Sequence, residues 1–191
     1  MCKAVILYTL SYEVMHLNIK KTATVGILAA LICVFSPLSV PVGAIPISFS
    51  TLAIYIVSGS VSKKYSVTAV AVYILIGAAG LPVFSSFTGG LQCITGYTGG
   101  YIIGYIPCAF IIGMLTDKFE NSIIIYPLSM IAGTVICYFC GTLWYAYRAE
   151  CGLSEALAIC VLPFIIGDII KITAASFTGI TLKKRIKNIN I

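Results

Sequence analysis

The stretch EALAICVLPFIIGDIIKITAASFTGI, residues 155–180, carries no charge after Glu155 except Asp168 and Lys171. A hydrocarbon core of roughly 30 Å is crossed by about 20 apolar residues in helical form, so this stretch can span a bilayer. Its two charges then sit where water does not reach. Asp or Lys at the centre of such a helix costs about 2.5–3.5 kcal/mol, and residues kept at that cost face a cavity or a partner. The i, i+3 spacing of Asp168 and Lys171 sets both on one helical face. An ion pair that only pins helix packing is the alternative.

The rest of the chain reads the same way. It has 191 residues, 60% hydrophobic and 9% charged, with a mean hydropathy of +1.06. A soluble domain would be about a quarter charged. Apolar stretches fall at residues 23–40, 47–62, 65–79, 99–116, 122–147 and 155–180, which makes six spans with short connections and leaves no room for a separate soluble domain. Lys3, Lys20, Lys21, Lys63, Lys64, Lys118, Lys183, Lys184, Arg185 and Lys187 sort to one side of such a membrane, Arg148 lies opposite and Lys171 lies within a span. By the positive-inside rule both termini are cytoplasmic. The expected architecture is therefore all-α: a polytopic membrane protein with six transmembrane helices and a Gly-rich extracellular loop between the third and fourth. Residues 1–22 form a cytoplasmic or membrane-surface segment, 23–182 the six-helix substrate-binding domain and 183–191 a basic cytoplasmic tail. The apolar run 4–10 is too short to span and lacks a signal-peptide cleavage pattern, and Met15 is a natural start in its own right.

The inventory excludes several kinds of chemistry. No G-x-x-x-x-G-K-[ST] loop is present to hold nucleotide phosphates, no H-E-x-x-H to hold zinc, and the one histidine, His16, lies outside the spans as a solvated residue. No enzyme, metal site or cofactor is expected, and the clustered basic residues mark topology rather than nucleic-acid binding. An intramembrane acid–base role for Asp168 and Lys171 lacks a nucleophile or metal set. Cys137 and Cys140 form a C-x-x-C on an apolar stretch without a second ligand pair, so they are read as packing residues. The eight cysteines lack the spacing of a disulfide scaffold.

The uncharged loop 83–98 leads from Thr88-Gly89-Gly90 to Thr98-Gly99-Gly100. Paired glycines let backbone approach a ligand or a helix, and irregular backbone at membrane depth is tolerated where protein or a wet cavity covers it. A lid over an outward-facing pocket fits, as does a plain re-entrant connector. In the first span, Gly26 with Ala30 and Ala29 with Cys33 form small-xxx-small pairs that admit a neighbouring helix.

Four stretches together carry a resemblance: Gly77-Ala-Ala-Gly-Leu-Pro-Val-Phe84, Thr88-Gly-Gly-Leu91, Thr98-Gly-Gly-Tyr101 and Pro163-Phe-Ile-Ile-Gly-Asp168-Ile-Ile-Lys171. With Ile45-Pro-Ile-Ser-Phe-Ser-Thr51, similar to V-P-[IFV]-T-L-Q-T, they resemble the BioY family, the biotin-binding S components of energy-coupling factor transporters, over about residues 23–175. The resemblance implies biotin as the transported ligand, a transmembrane coupling subunit and two cytoplasmic ATPase subunits as partners, and the cell membrane as location. By motif position it implies ligand contacts at Asp168, Lys171, Tyr101, Phe84, Thr51, Gly89 and Gly90, without deciding which end of biotin the charged pair meets. It also implies a coupling face on the first helix at Gly26, Ala29, Ala30 and Cys33, with Cys33 in place of the second Ala of an A-x-x-x-A pattern. The chain departs from the family where Phe49-Ser50-Thr51 lacks the Gln amide and where Gly96-Tyr97 replaces Gly-Pro. An S component for riboflavin or thiamine, or a structural membrane subunit, remain as alternatives.

Overall fold

A computed structural model describes residues 2–41, 45–119 and 122–187. Gly43, Glu120 and the last four residues of the expected tail lie outside the described residues, as do the side chains of Lys3, His16, Lys184 and Lys187. The fold is helical. Its helices are α1 (Cys2–Phe35), α2 (Ser50–Ser60), α3 (Lys63–Ala78), α4 (Leu91–Thr95), α5 (Gly99–Lys118), α6 (Ile125–Ala149), α7 (Leu153–Cys160) and α8 (Ile165–Lys187), joined by a short antiparallel pair, β1 (Ser39–Val40) and β2 (Ile47–Ser48), and a 3-10 turn at Ser85–Phe87. By length and apolar composition, α5, α6 and residues 165–183 of α8 can each cross a membrane.

Several elements differ from the sequence expectation. The first apolar stretch does not reach residue 40, because α1 ends at Phe35 just before Pro37, and the segment before residue 23 is continuous with it as one helix. At about 1.5 Å per residue a helix of this length exceeds a hydrocarbon core, so only part of it can be immersed. The second stretch begins as β2 and becomes helical only from Ser50. The stretch 155–180 is not one helix. It breaks after Cys160 and resumes at Ile165, because Pro163 has no N–H to donate and its ring collides with the carbonyl one turn back.

The helix α2 lies at the centre, its Ile54, Tyr55, Val57 and Ser58 fully buried among α1, α3, α5 and α8. Small residues set the closest approaches. A Cβ added to Gly113 on α5 would stand 2.6 Å from Cα of Lys63 on α3, and one added to Gly100 on α5 would stand 2.7 Å from the Cys140 carbonyl oxygen on α6. Backbones that close gain dispersion contacts that larger side chains would prevent. At one end of the bundle Asp117 joins three helices. Its carboxylate accepts from the Lys63 backbone N–H at 3.0 Å and from Lys183 Nζ at 3.1 Å, and Lys183 also donates to the Thr116 carbonyl at 2.9 Å.

Candidate functional site

The break at Pro163 makes the site. It turns Asp168, expected deep inside a continuous helix, into a first-turn residue of α8, where unpaired N–H groups and the helix dipole favour a negative charge. Lys171 follows one turn later. Both are nearly buried, at 5% and 7% exposure, and both line a cavity of about 310 Å³. That is the low end of the roughly 300–1,000 Å³ of small-molecule pockets, suited to a compact solute.

The lysine ammonium has three protons, and each has a protein acceptor. Nζ donates to the Ser48 carbonyl at 2.8 Å, to Thr51 Oγ1 at 3.1 Å and to Asp168 Oδ1 at 3.3 Å. The other carboxylate oxygen, Oδ2, accepts from the Tyr138 hydroxyl of α6. The pair is therefore neutral as a unit and hydrogen-bonded throughout, the condition under which buried charges are tolerated.

Aromatic rings form the apolar walls. Tyr73 and Phe84 meet edge to face with centroids 5.6 Å apart, and Tyr55, Tyr101, Tyr105 and Tyr138 complete the enclosure. The hydroxyls of Tyr55, Tyr73, Tyr101 and Tyr138 find partners, as buried phenols generally do. Tyr101 donates to the Cys160 carbonyl at 3.0 Å, satisfying an orphan acceptor where α7 ends. Tyr73 shares a hydrogen bond with Ser36, which also meets Ser50 at 2.7 Å, while Ser48 Oγ donates to the Ser36 carbonyl at 2.8 Å. This serine cluster satisfies polar backbone where α1 ends and α2 begins inside the fold.

The loop 83–98 closes one side. Phe84, Ser85, Ser86, Thr88 and Cys93 line the cavity. Ser86 N–H donates to the Pro37 carbonyl and to Ser39 Oγ, both at 3.0 Å, clasping the loop to β1, and Trp144 Nε1 donates to the Gly96 carbonyl at 2.8 Å. Ser86 and Phe87 adopt left-handed backbone, with φ of 58° and 56°.

Of the residues singled out from sequence, Asp168, Lys171, Tyr101, Phe84 and Thr51 come together on the cavity wall. Gly89 and Gly90 do not line it. They shape the loop instead: a side chain at Gly89 would collide with the Leu81 carbonyl, and Gly90, at φ +95°, donates its N–H to the Gly77 carbonyl at 2.7 Å. On α1, Gly26 and Ala30 are exposed and Cys33 is half-buried, but Ala29 is 2% exposed. Ala29 is a correction to the expected face, because helical rotation turns it inward with Ile32 and Ser36. Sequence reading passed over Ser48, Tyr73, Tyr105 and Tyr138. For Tyr138 a signal exists: Thr134, Cys137, Tyr138 and Gly141 follow an i, i+3, i+4, i+7 stripe, and the first three of them line the cavity.

The BioY family profile matches residues 10–188. The chain is 38% identical over 159 residues to the biotin transporter BioY of Thermotoga maritima, covering 83% of this chain and 93% of that protein. It is 29% identical over 162 residues to the biotin transporter BioY2 of Lactococcus lactis, covering 85% and 89% respectively. A crystal structure of the S-component for biotin from an ECF-type ABC transporter superposes with a TM-score of 0.80 at 24% identity, covering 90% of this chain and 93% of that one, so the fold is shared. With apolar helices built to cross a bilayer more than once, and with its relatives matched over nearly their whole length, this multi-pass membrane chain belongs to the BioY family.

Proposed function

We propose that this chain is the substrate-binding S component for biotin uptake, and that the cavity beside Asp168 and Lys171 is its biotin site. The observation that carries the reading is the hydrogen-bonded charged pair on the wall of a vitamin-sized, aromatic-lined cavity, in a chain related over most of its length to proteins named biotin transporters. Biotin combines a ureido ring with donors and acceptors, a carboxylate, and an apolar thiophane and chain, and a cavity with one acid, one base and tyrosine walls complements that mixture. Thr51, Tyr101 and Phe84 complete the contacts. Gly89 and Gly90 hold the shape of the lid.

In the same reading the membrane carries six spans with both termini cytoplasmic, and the loop 83–98 lies outside. Residues 23–182 form the binding domain, preceded by a cytoplasmic or surface segment; the basic stretch expected as a tail from 183 instead continues α8 as far as Lys187, with Lys183 bound to Asp117. Energy comes from a transmembrane coupling subunit and two ATPase subunits, the coupling subunit meeting the exposed Gly26, Ala30 and Cys33 side of α1. One observation favours a second reading, a packing lock: Lys171 already gives all its protons to protein acceptors.

Titration calorimetry of the purified protein with biotin, riboflavin and thiamine tests the assignment. Tight binding of biotin alone is expected. Tight binding of another vitamin, or of none, overturns it.

A further inference from the structure

We propose that Tyr138 is a positioning residue for the bound ligand, acting through Asp168; the inference rests on the cavity being the biotin site. Tyr138 belongs to α6, whereas Asp168 and Lys171 belong to α8. The Tyr138 hydroxyl donates to Asp168 Oδ2 and Lys171 donates to Oδ1 at 3.3 Å, so each carboxylate oxygen is held by a different helix or turn. A carboxylate held at one oxygen still turns about its broad terminal torsion. Held at both, it keeps one orientation.

Orientation matters because of what remains to be used. Each carboxylate oxygen accepts two hydrogen bonds, so Asp168 keeps acceptor capacity on a side chain that lines the cavity. Lys171 has no proton left to offer unless it releases Ser48, Thr51 or Asp168. The pair therefore presents acceptors to a ligand, and their direction is set by the Tyr138 hydroxyl. A tyrosine needed only for packing would require its ring alone; here the hydroxyl lies against the one carboxylate that lines the cavity among the described residues.

The test is a double-mutant cycle on biotin affinity, with ligand-free thermal stability measured on the same proteins. Tyr138→Phe is expected to weaken biotin binding about tenfold in the unmodified background and no more than about threefold beside Asp168→Asn, whose uncharged amide oxygen gains less from the phenol. Equal losses in both backgrounds, or no loss in folded Tyr138→Phe, would overturn the role. If Tyr138→Phe does not fold, Tyr138→Gln is compared with Tyr138→Leu. The variant that keeps a donor is expected to bind at least several-fold more tightly, and equal affinities would overturn the proposal. Failure of the site reading looks different, since folded Asp168→Asn would then bind biotin like the unmodified protein.

Discussion

Lys171 Nζ donates to the backbone carbonyl of Ser48 at 2.8 Å, tying the first turns of α8 to the end of β2 across 123 residues of chain. A charged group thereby fixes backbone rather than only balancing another charge. With Thr51 and Asp168 as its other acceptors, the ammonium joins the end of β2, the start of α2 and the start of α8 at one point of the cavity wall. Ligand affinity and local architecture are coupled there, and variants have to be read for both.

The proposed sidedness rests on the distribution of basic residues. Lys63 is half-buried, with its ammonium 5.8 Å from the Phe110 ring centroid, so the exposed Lys64 is the better reporter. In a cysteine-depleted protein, single cysteines at 64 and 118 are expected to label from the cytoplasm and one at 148 from outside. Labelling of position 64 from outside alone would reverse the topology.

The proposed coupling face separates two neighbouring alanines on α1. Ala30 is exposed, so Ala30→Leu is expected to leave biotin affinity and thermal stability unchanged while reducing uptake in cells that carry the energising subunits. Ala29 is buried, and Ala29→Leu overpacks the core at a cost of about 1–3 kcal/mol, seen as a lower Tm. Unimpaired uptake with Ala30→Leu would remove α1 from the coupling surface.

The legible part of the site was the part that broke a rule of membrane chemistry. Asp168 and Lys171 stood out because charge is rare in an apolar run, and both lie on the wall. Pro163 was equally visible, yet counting apolar residues hid the break it causes, and with it the placement of Asp168 at a helix start. Tyr138 was hidden because a phenol in an apolar helix is ordinary; only the approach of α6 to α8 gives its hydroxyl a partner. Gly89 and Gly90 were recognised as special, but glycine marks close backbone approach without saying whether to ligand or to the chain itself. Here it is to the chain.

The clasp between Ser39 and Ser86 bears on ligand exchange. Ser39→Ala removes a side-chain acceptor for the Ser86 N–H and a hydroxyl pair at 2.9 Å. The Ser86 N–H keeps the Pro37 carbonyl as acceptor, so the net loss is about 1 kcal/mol, and biotin dissociation measured by stopped flow or isotope exchange is expected to quicken about fivefold, with Tm little changed. An unaltered dissociation rate would mean that the loop 83–98 does not gate the cavity.

Glycines on α6 and α1 make opposite predictions. A Cβ at Gly141 would enter the Tyr101 ring, so Gly141→Ala is expected to lower Tm and biotin affinity together, at about 1–3 kcal/mol in stability. At Gly26 nothing lies within 4 Å of an added Cβ, and Gly26→Ala is expected to stabilise the isolated protein by about 0.5–1 kcal/mol through helix propensity. Thermal melts of the two variants check the pair.

The central claim, that the cavity holding Asp168 and Lys171 binds biotin, is tested most directly by the biotin affinity of purified Lys171→Ala, measured beside its ligand-free Tm. Removing the ammonium leaves Asp168 without its cation and frees the Ser48 carbonyl, and a loss of about 3 kcal/mol, about a hundredfold in Kd, is expected in protein that still folds. Asp168→Asn preserves shape and is expected to lose less. Folded Lys171→Ala that binds biotin as tightly as the unmodified protein, with only its Tm lowered, would contradict the assignment and leave the pair as a packing lock.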